Sequence, residues 1–430
     1  MTTSQVHGRP YVLISTDGHA GADPADYKPY LERRWHDEFD AWWAAFTDPW
    51  WEIDPDSKYK AGVASYVDPI NWESTKRLEL LESFGIVGEV IFPNTAQPFY
   101  PTATLAAAAP RSRDEYERRW AGLQAHNRWL VDFCGDAPGR RYGLVQLFLD
   151  DVDAAVAEVR WAKDAGLKGV LLPPDHHLNL INLYYPSLEP LWATCAELDM
   201  PVHRHGIVVG NAEAGHPESQ AIAQICGTYE SGYFGHRSLF QLVLSGVFER
   251  YPGMKFVFTE LGGTNWSLPE IQRLDSWVET SLHDPVLSRF GRSAARGLSM
   301  KPSEYFRRNV FLSTLVGPAD IACRHDVGMD RILWGADFPH QEGTVPYVVE
   351  SLRATMAAVP EDEVRQLTSG NAAAVYGIDL EQLQPVADRF GPGPELIATS
   401  LSPGERDGLS GLSIFRGILG TKKPAESTPG

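Results

Sequence analysis

Eight short apolar runs recur along the chain, and this repetition constrains the fold more than any other feature. The runs are YVLIST (11–16), VGEVIF (87–92), YGLVQL (142–147), KGVLLP (168–173), MPVHRH (200–205), KFVFTE (255–260), NVFLST (309–314) and RILWGAD (331–337). Each is nearly continuous in hydrophobicity, as a strand buried on both faces must be. Amphipathic stretches separate them. DVDAAVAEVRWAKDAG (151–166) puts Val152, Ala155, Val159 and Ala162 on one helical face and ends on Gly166 as a C-cap; YPSLEPLWATCAELD (185–199) repeats the arrangement. Strands alternating with helices predict an α/β chain folded as a (β/α)8 barrel. An open doubly wound sheet is the alternative, but no G-x-G-x-x-G follows the first run.

A barrel also accommodates the length of 430 residues, which would otherwise suggest several domains. We expect the barrel to occupy residues 1–380, with an insert at 26–75 and a Pro/Gly-rich tail at 381–430 that is extended or wrapped on a neighbouring subunit. The insert follows the first strand and carries Trp35, Trp42, Trp43, Trp50, Trp51 and Trp72, so it is expected to cap the mouth, with Trp42 or Trp50 against substrate. The net charge of -18 argues against nucleic acid and against an anionic membrane surface. No apolar run is long enough to span a bilayer, and MTTSQVHGRP at the start lacks the apolar core of a signal peptide. Cys134, Cys195, Cys226 and Cys323 form no CxxC pair. These features predict a reduced, cytoplasmic enzyme of small molecules, assembled as a homodimer.

Chemistry in a barrel gathers where the strands end. The first ends in Asp17-Gly18-His19, whose outer residues share one side of an extended segment. The fifth ends in His203-Arg204-His205, the sixth in Glu260, and the eighth in Asp337 followed by His340. A lone Asp at a strand end is usually a cap or turn residue. Imidazoles and carboxylates delivered by four strands to one rim are the ligand set of one divalent transition metal, zinc first, with manganese and iron as alternatives. One of His203 and His205 would bind the ion, and the other would support the ligands from behind or face substrate. Arg204 is the nearest cation for a substrate carboxylate, and His177 (with His176 beside it) can reach the mouth. His126, His216, His283 and His325 read as surface residues.

The pieces ISTDGHA, AGLKGVLLPP, PVHRHG, SGVFERYPGMKFVFTELGG, ILWGADFPH and SGNAAAVYG resemble the amidohydrolase-related family that includes aminocarboxymuconate-semialdehyde decarboxylase. The similarity runs from about Ile14 to Gly377. It implies a metal held by Asp17, His19, His205 and Asp337; His205 is preferred because the family's ligand lies four residues after the Pro that matches Pro201. Two positions depart from the family. Its decarboxylases commonly begin with His-x-His or Glu-x-His, and they carry a His where this chain has Glu260. The first expectation is therefore hydrolysis of a C–N or related bond, with Asp337 as base toward a metal-activated water and Glu260 as proton donor to the leaving group. The alternative is non-oxidative decarboxylation of an unsaturated or aromatic acid, with Asp337 or His340 protonating carbon. A barrel that only binds its ligand is the remaining option.

Overall fold

The computed structural model describes residues 7–47, 68–174, 182–206, 220–340 and 342–410, with only the backbone for several residues between 220 and 231. Its strands are β1 (Leu13–Ala20), β2 (Ile86–Pro93), β3 (Arg141–Gln146), β4 (Gly169–Leu171), β5 (Val202–His205), β6 (Phe256–Thr259), β7 (Val310–Thr314) and β8 (Ile332–Trp334). Every apolar run of the sequence forms one of them. They pair in parallel in the order β1 to β8. The barrel closes where Gly18 bridges Phe338, with the His19 N–H donating to the Phe338 carbonyl at 2.6 Å and the Asp337 N–H to the Asp17 carbonyl at 2.7 Å. The expected (β/α)8 barrel is the fold observed.

Side chains alternate across the strands. Ile14, Phe92, Leu144, Leu171, Val257, Phe311 and Leu333 fill the inside, while Leu13, Ile91, Val145, Val170, Val202, Phe258, Leu312 and Ile332 pack outward under the helices. The register pairs Leu171 with His203, so His203 and His205 point inward and Arg204 outward. The β1 register shifts between Ser15 and Gly18. An extra residue reverses which parity faces the axis: Ile14 is inward below the shift, and Asp17 and His19 are inward above it.

The helix Val152–Asp164 buries Ala155, Val159 and Ala162 as its spacing requires, and Asp151 caps it by accepting from the Ala154 N–H at 3.0 Å. It also buries Glu158, which is held by Arg128, Asn127 and Gln124. The tail differs from the extended form expected of it. Residues Leu380–Phe390, Pro394–Ile397 and Pro403–Leu409 are helical. Pro394 and Pro403 sit in first turns, where a missing N–H costs nothing, so prolines that read as breakers mark helix starts. Leu383 and Ala387 join Val375 and Tyr376 in closing the bottom of the barrel, next to Tyr11 before β1, whose N–H donates to the Pro392 carbonyl. Residues 411–430 lie outside the described residues. Among the described residues no helix is long and apolar enough to cross a membrane, and none of the four cysteines is in a disulfide.

Candidate metal centre

The carboxyl ends of β1, β5, β6 and β8 bring five of the expected residues together. His19 Nε2 lies 3.3 Å from Asp17 Oδ1 and 3.3 Å from Asp337 Oδ1. His205 Nε2 is 3.2 Å from Asp17 Oδ1. Asp17, His19 and His205 offer ligand atoms within 4.8 Å of one another, and so do Asp17, Glu260 and Asp337. A further such group joins His19 and Asp337 to His340. Close approach of the backbone makes this possible. A Cβ on Gly335 would stand 2.6 Å from Asp17 Cβ, so only glycine directly after β8 lets Asp17 reach the centre. Glu260 and Asp337 both have φ of 54°, left-handed backbone that a carboxylate residue adopts only when its surroundings demand it.

The imidazoles of both His19 and His205 are oriented from behind. His19 Nδ1 donates to the Pro93 carbonyl at 3.1 Å, and His205 Nδ1 donates to the Gly206 carbonyl. Each therefore presents Nε2 to the centre, as a second-layer hydrogen bond on a metal-binding histidine does. The charges are unbalanced without a cation. Burial alone would raise the Asp17 and Asp337 carboxyls, yet hydrogen bonds and charge from His19 and His205 in the first case, and from His340 and His19 in the second, hold both below the usual range. Burial would lower His19, but Asp17 and Asp337 push it up to about 10. His19 Nε2 and both oxygens of Asp337 are buried and make no hydrogen bond of ordinary geometry. Buried nitrogen and oxygen atoms of this kind, gathered within 4.8 Å of one another, fit a divalent transition metal.

Glu260 stands at the mouth with its side chain 38% exposed and 3.8 Å from His205 Nδ1. Although open to solvent on one side, it is pushed well above the usual carboxyl range, first by burial against the protein wall and then by the charges of Asp337 and Asp17. His340 Nδ1 lies 2.8 Å from Asp337 Oδ1, and its ring stacks on His19 with centroids 4.0 Å apart.

Other expected residues fall elsewhere. His203 lies one layer below the centre, where its Nε2 meets the Tyr376 hydroxyl at 3.0 Å; burial drives it down to about 3, so it is neutral. Arg204 does not face the rim. Period-two alternation turns it outward, where it is fully buried and donates to Ser238 Oγ and the Pro173 carbonyl. Trp42, on the helix His36–Ala45, donates from Nε1 to the Tyr100 carbonyl at 3.3 Å. That places the described part of the insert over the loop that follows β2, on the side of the centre. Trp50 and His177, with Trp51, His176 and His216, lie outside the described residues. His126 is not a surface residue: it is fully buried, with Nδ1 2.8 Å from the Tyr27 hydroxyl. Its spacing from Leu123 and Leu130, three back and four forward, was the sequence sign of a buried helical face. Sequence reading also passed over Asn71 and Asn94. Asn94 Oδ1 lies 3.0 Å from His340 Nε2, and Asn94 Nδ2 donates to Asn71 Oδ1 at 2.6 Å. No motif announces either one, because their importance arises from contacts across three separate segments.

Known proteins resemble this chain in sequence and in fold. The γ-resorcylate decarboxylase of Rhodococcus jostii is 25% identical over 293 residues, covering 64% of this chain and 82% of that protein. The crystal structure of 5-carboxyvanillate decarboxylase from Sphingomonas paucimobilis superposes with a TM-score of 0.60 at 18% identity, covering 86% of this chain and 100% of that one. A 5-carboxyvanillate decarboxylase from Novosphingobium aromaticivorans, solved with manganese and 4-hydroxy-3-methoxy-5-nitrobenzoic acid, gives a TM-score of 0.61 at 16% identity, covering 85% of this chain and 96% of that one. The amidohydrolase family model matches residues 41–378, and on that match, which spans most of the barrel, the chain belongs to the amidohydrolase family.

Proposed function

We propose that this enzyme carries out metal-dependent, non-oxidative decarboxylation of an aromatic or unsaturated carboxylic acid. The observation that carries the reading is the alignment with γ-resorcylate decarboxylase over 82% of that protein. It favours the decarboxylase over the hydrolase that the Glu260 substitution first suggested. Asp17, His19, His205 and Asp337 are the residues we assign to the metal. A divalent cation there would supply a Lewis acid that anchors the substrate's carboxylate or an adjacent hydroxyl. Zinc and manganese both suit the donors, and manganese is the ion in the solved N. aromaticivorans enzyme.

The remaining chemistry is proton placement. The reaction exchanges a carboxylate for hydrogen: a proton adds to the carbon that bears the carboxylate, the C–C bond breaks, and its electron pair returns to the ring as CO₂ leaves. The donor must stand over that carbon. We assign this to the Asp337–His340 pair, whose facing atoms are 2.8 Å apart. Glu260, at the mouth and with its carboxyl pushed above the usual range, replaces the proton from solvent. Trp42 supports the wall of the mouth through Tyr100. The test is to load the purified chain with manganese(II) or zinc(II) and offer hydroxybenzoates, γ-resorcylate among them. The expected result is CO₂ release with one deuteron at the vacated carbon in D₂O. Release of an amine or alcohol from amides or esters, with no CO₂ from any acid offered, would overturn the reading.

A further inference from the structure

We propose that Asn94, itself held by Asn71, is a positioning residue that fixes the ring hydrogen of His340 on Nε2 and so keeps Nδ1 turned toward Asp337. The chain of hydrogen bonds starts at the backbone carbonyl of Asp68, which can only accept. Asn71 Nδ2 donates to it at 2.9 Å. That fixes the Asn71 amide, and Oδ1 is the atom it presents to Asn94. Asn94 must then donate from Nδ2, which it does at 2.6 Å. Its other face is Oδ1, 3.0 Å from His340 Nε2. An oxygen there accepts, so Nε2 carries the hydrogen, and Nδ1 is the nitrogen left to exchange a proton beside Asp337.

The frame is rigid. Asn71 and Asn94 are 0% and 2% exposed, so no bulk water competes for their amides. The Asn71 N–H also donates to the Asp68 carbonyl, and the Asn94 N–H donates to the Ala20 carbonyl at 3.0 Å. Without Asn94 the His340 ring can turn over about its last side-chain bond, which puts a carbon in place of Nδ1 opposite Asp337. The orientation of the proton-exchanging nitrogen is thus determined by a carbonyl in the Asp68–Asn71 turn, near the end of the insert.

The kinetic part of the test rests on the decarboxylase reading; the spectroscopic part does not. In zinc-loaded protein with ¹⁵N-labelled histidine, the His340 signal, assigned by its loss in His340→Gln, should show hydrogen on Nε2. Asn94→Ala and Asn71→Ala should each lose or mix that signature and lower kcat by about 10- to 100-fold, with KM within about twofold and zinc content unchanged. The double variant should be no worse than Asn94→Ala, because the two residues act as one unit. Asn94→Asp keeps an acceptor for Nε2 and should restore the signature and part of the rate. An unchanged His340 signature in Asn94→Ala overturns the proposal, as does zinc content that falls in step with kcat. If no acid is turned over at all, the decarboxylase reading fails while the ¹⁵N result still decides this one.

Discussion

Glu260 and Asp337 share a backbone conformation, a rim and a carboxyl group, yet their surroundings separate them. Asp337 is enclosed by His19 and His340, which hold its carboxyl below the usual range, while Glu260 is open at the mouth and pushed above that range by burial and by the charges of Asp337 and Asp17. We therefore expect Glu260→Gln to keep its metal and to lose about 100-fold or more in rate, the usual scale for one proton-transfer group. Asp337→Asn should lose both. Metal analysis beside steady-state kinetics separates the cases, and loss of metal from Glu260→Gln would make Glu260 a ligand. At this scale the sequence was legible where strand ends spoke for themselves: Asp17, His19, His205, Glu260 and Asp337 do converge. It was illegible where function depends on amide orientation, as at Asn94 and Asn71, or on which side of a strand a residue takes. Arg204 sits between two inward histidines and for that reason alone faces away.

Among the elements, the strands were easy to read because burial on both faces demands an unbroken apolar run, which neither a surface loop nor an amphipathic helix produces. The register shift in β1 and the helical tail were not, since a bulge leaves no compositional trace and prolines mark helix starts as readily as loops. The insert is an element whose attachment can be tested. Tyr27 is fully buried, and its hydroxyl accepts from the Ala22 N–H at 3.1 Å while touching Thr95 Oγ1 and His126 Nδ1. It ties the start of the insert to the loop after β2 and to the helix Arg113–Gly135. Tyr27→Phe leaves those partners buried and unsatisfied, and should cost about 1–3 kcal/mol of stability in urea denaturation. An unchanged midpoint would show that the ring alone anchors the insert.

For the whole molecule, acid is the sensitive direction. His126 and His203 are fully buried, and burial lowers both from 6.5 to about 3. Below pH 6.5 the unfolded chain takes up protons at these positions and the folded chain does not, so stability present at neutral pH falls progressively toward pH 3. Between neutrality and about pH 5 each residue accounts for a loss of about 2 kcal/mol. Denaturation midpoints followed against pH should show that slope, and His126→Asn should remove one residue's share of it. A slope unchanged in His126→Asn would mean that the buried ring takes up its proton while still folded.

The seam of the barrel carries a consequence for how the protein is made. Asp17 and His19 come from the first strand and Asp337 from beyond the last, and they meet only across the Gly18–Phe338 bridge. A nascent chain therefore holds half of this centre from the first strand onward and cannot complete it until Asp337, beyond the last strand, has been synthesised. On the metal assignment we propose, ion uptake is consequently a late event in biogenesis, and a prematurely terminated chain is a barrel without a clasp.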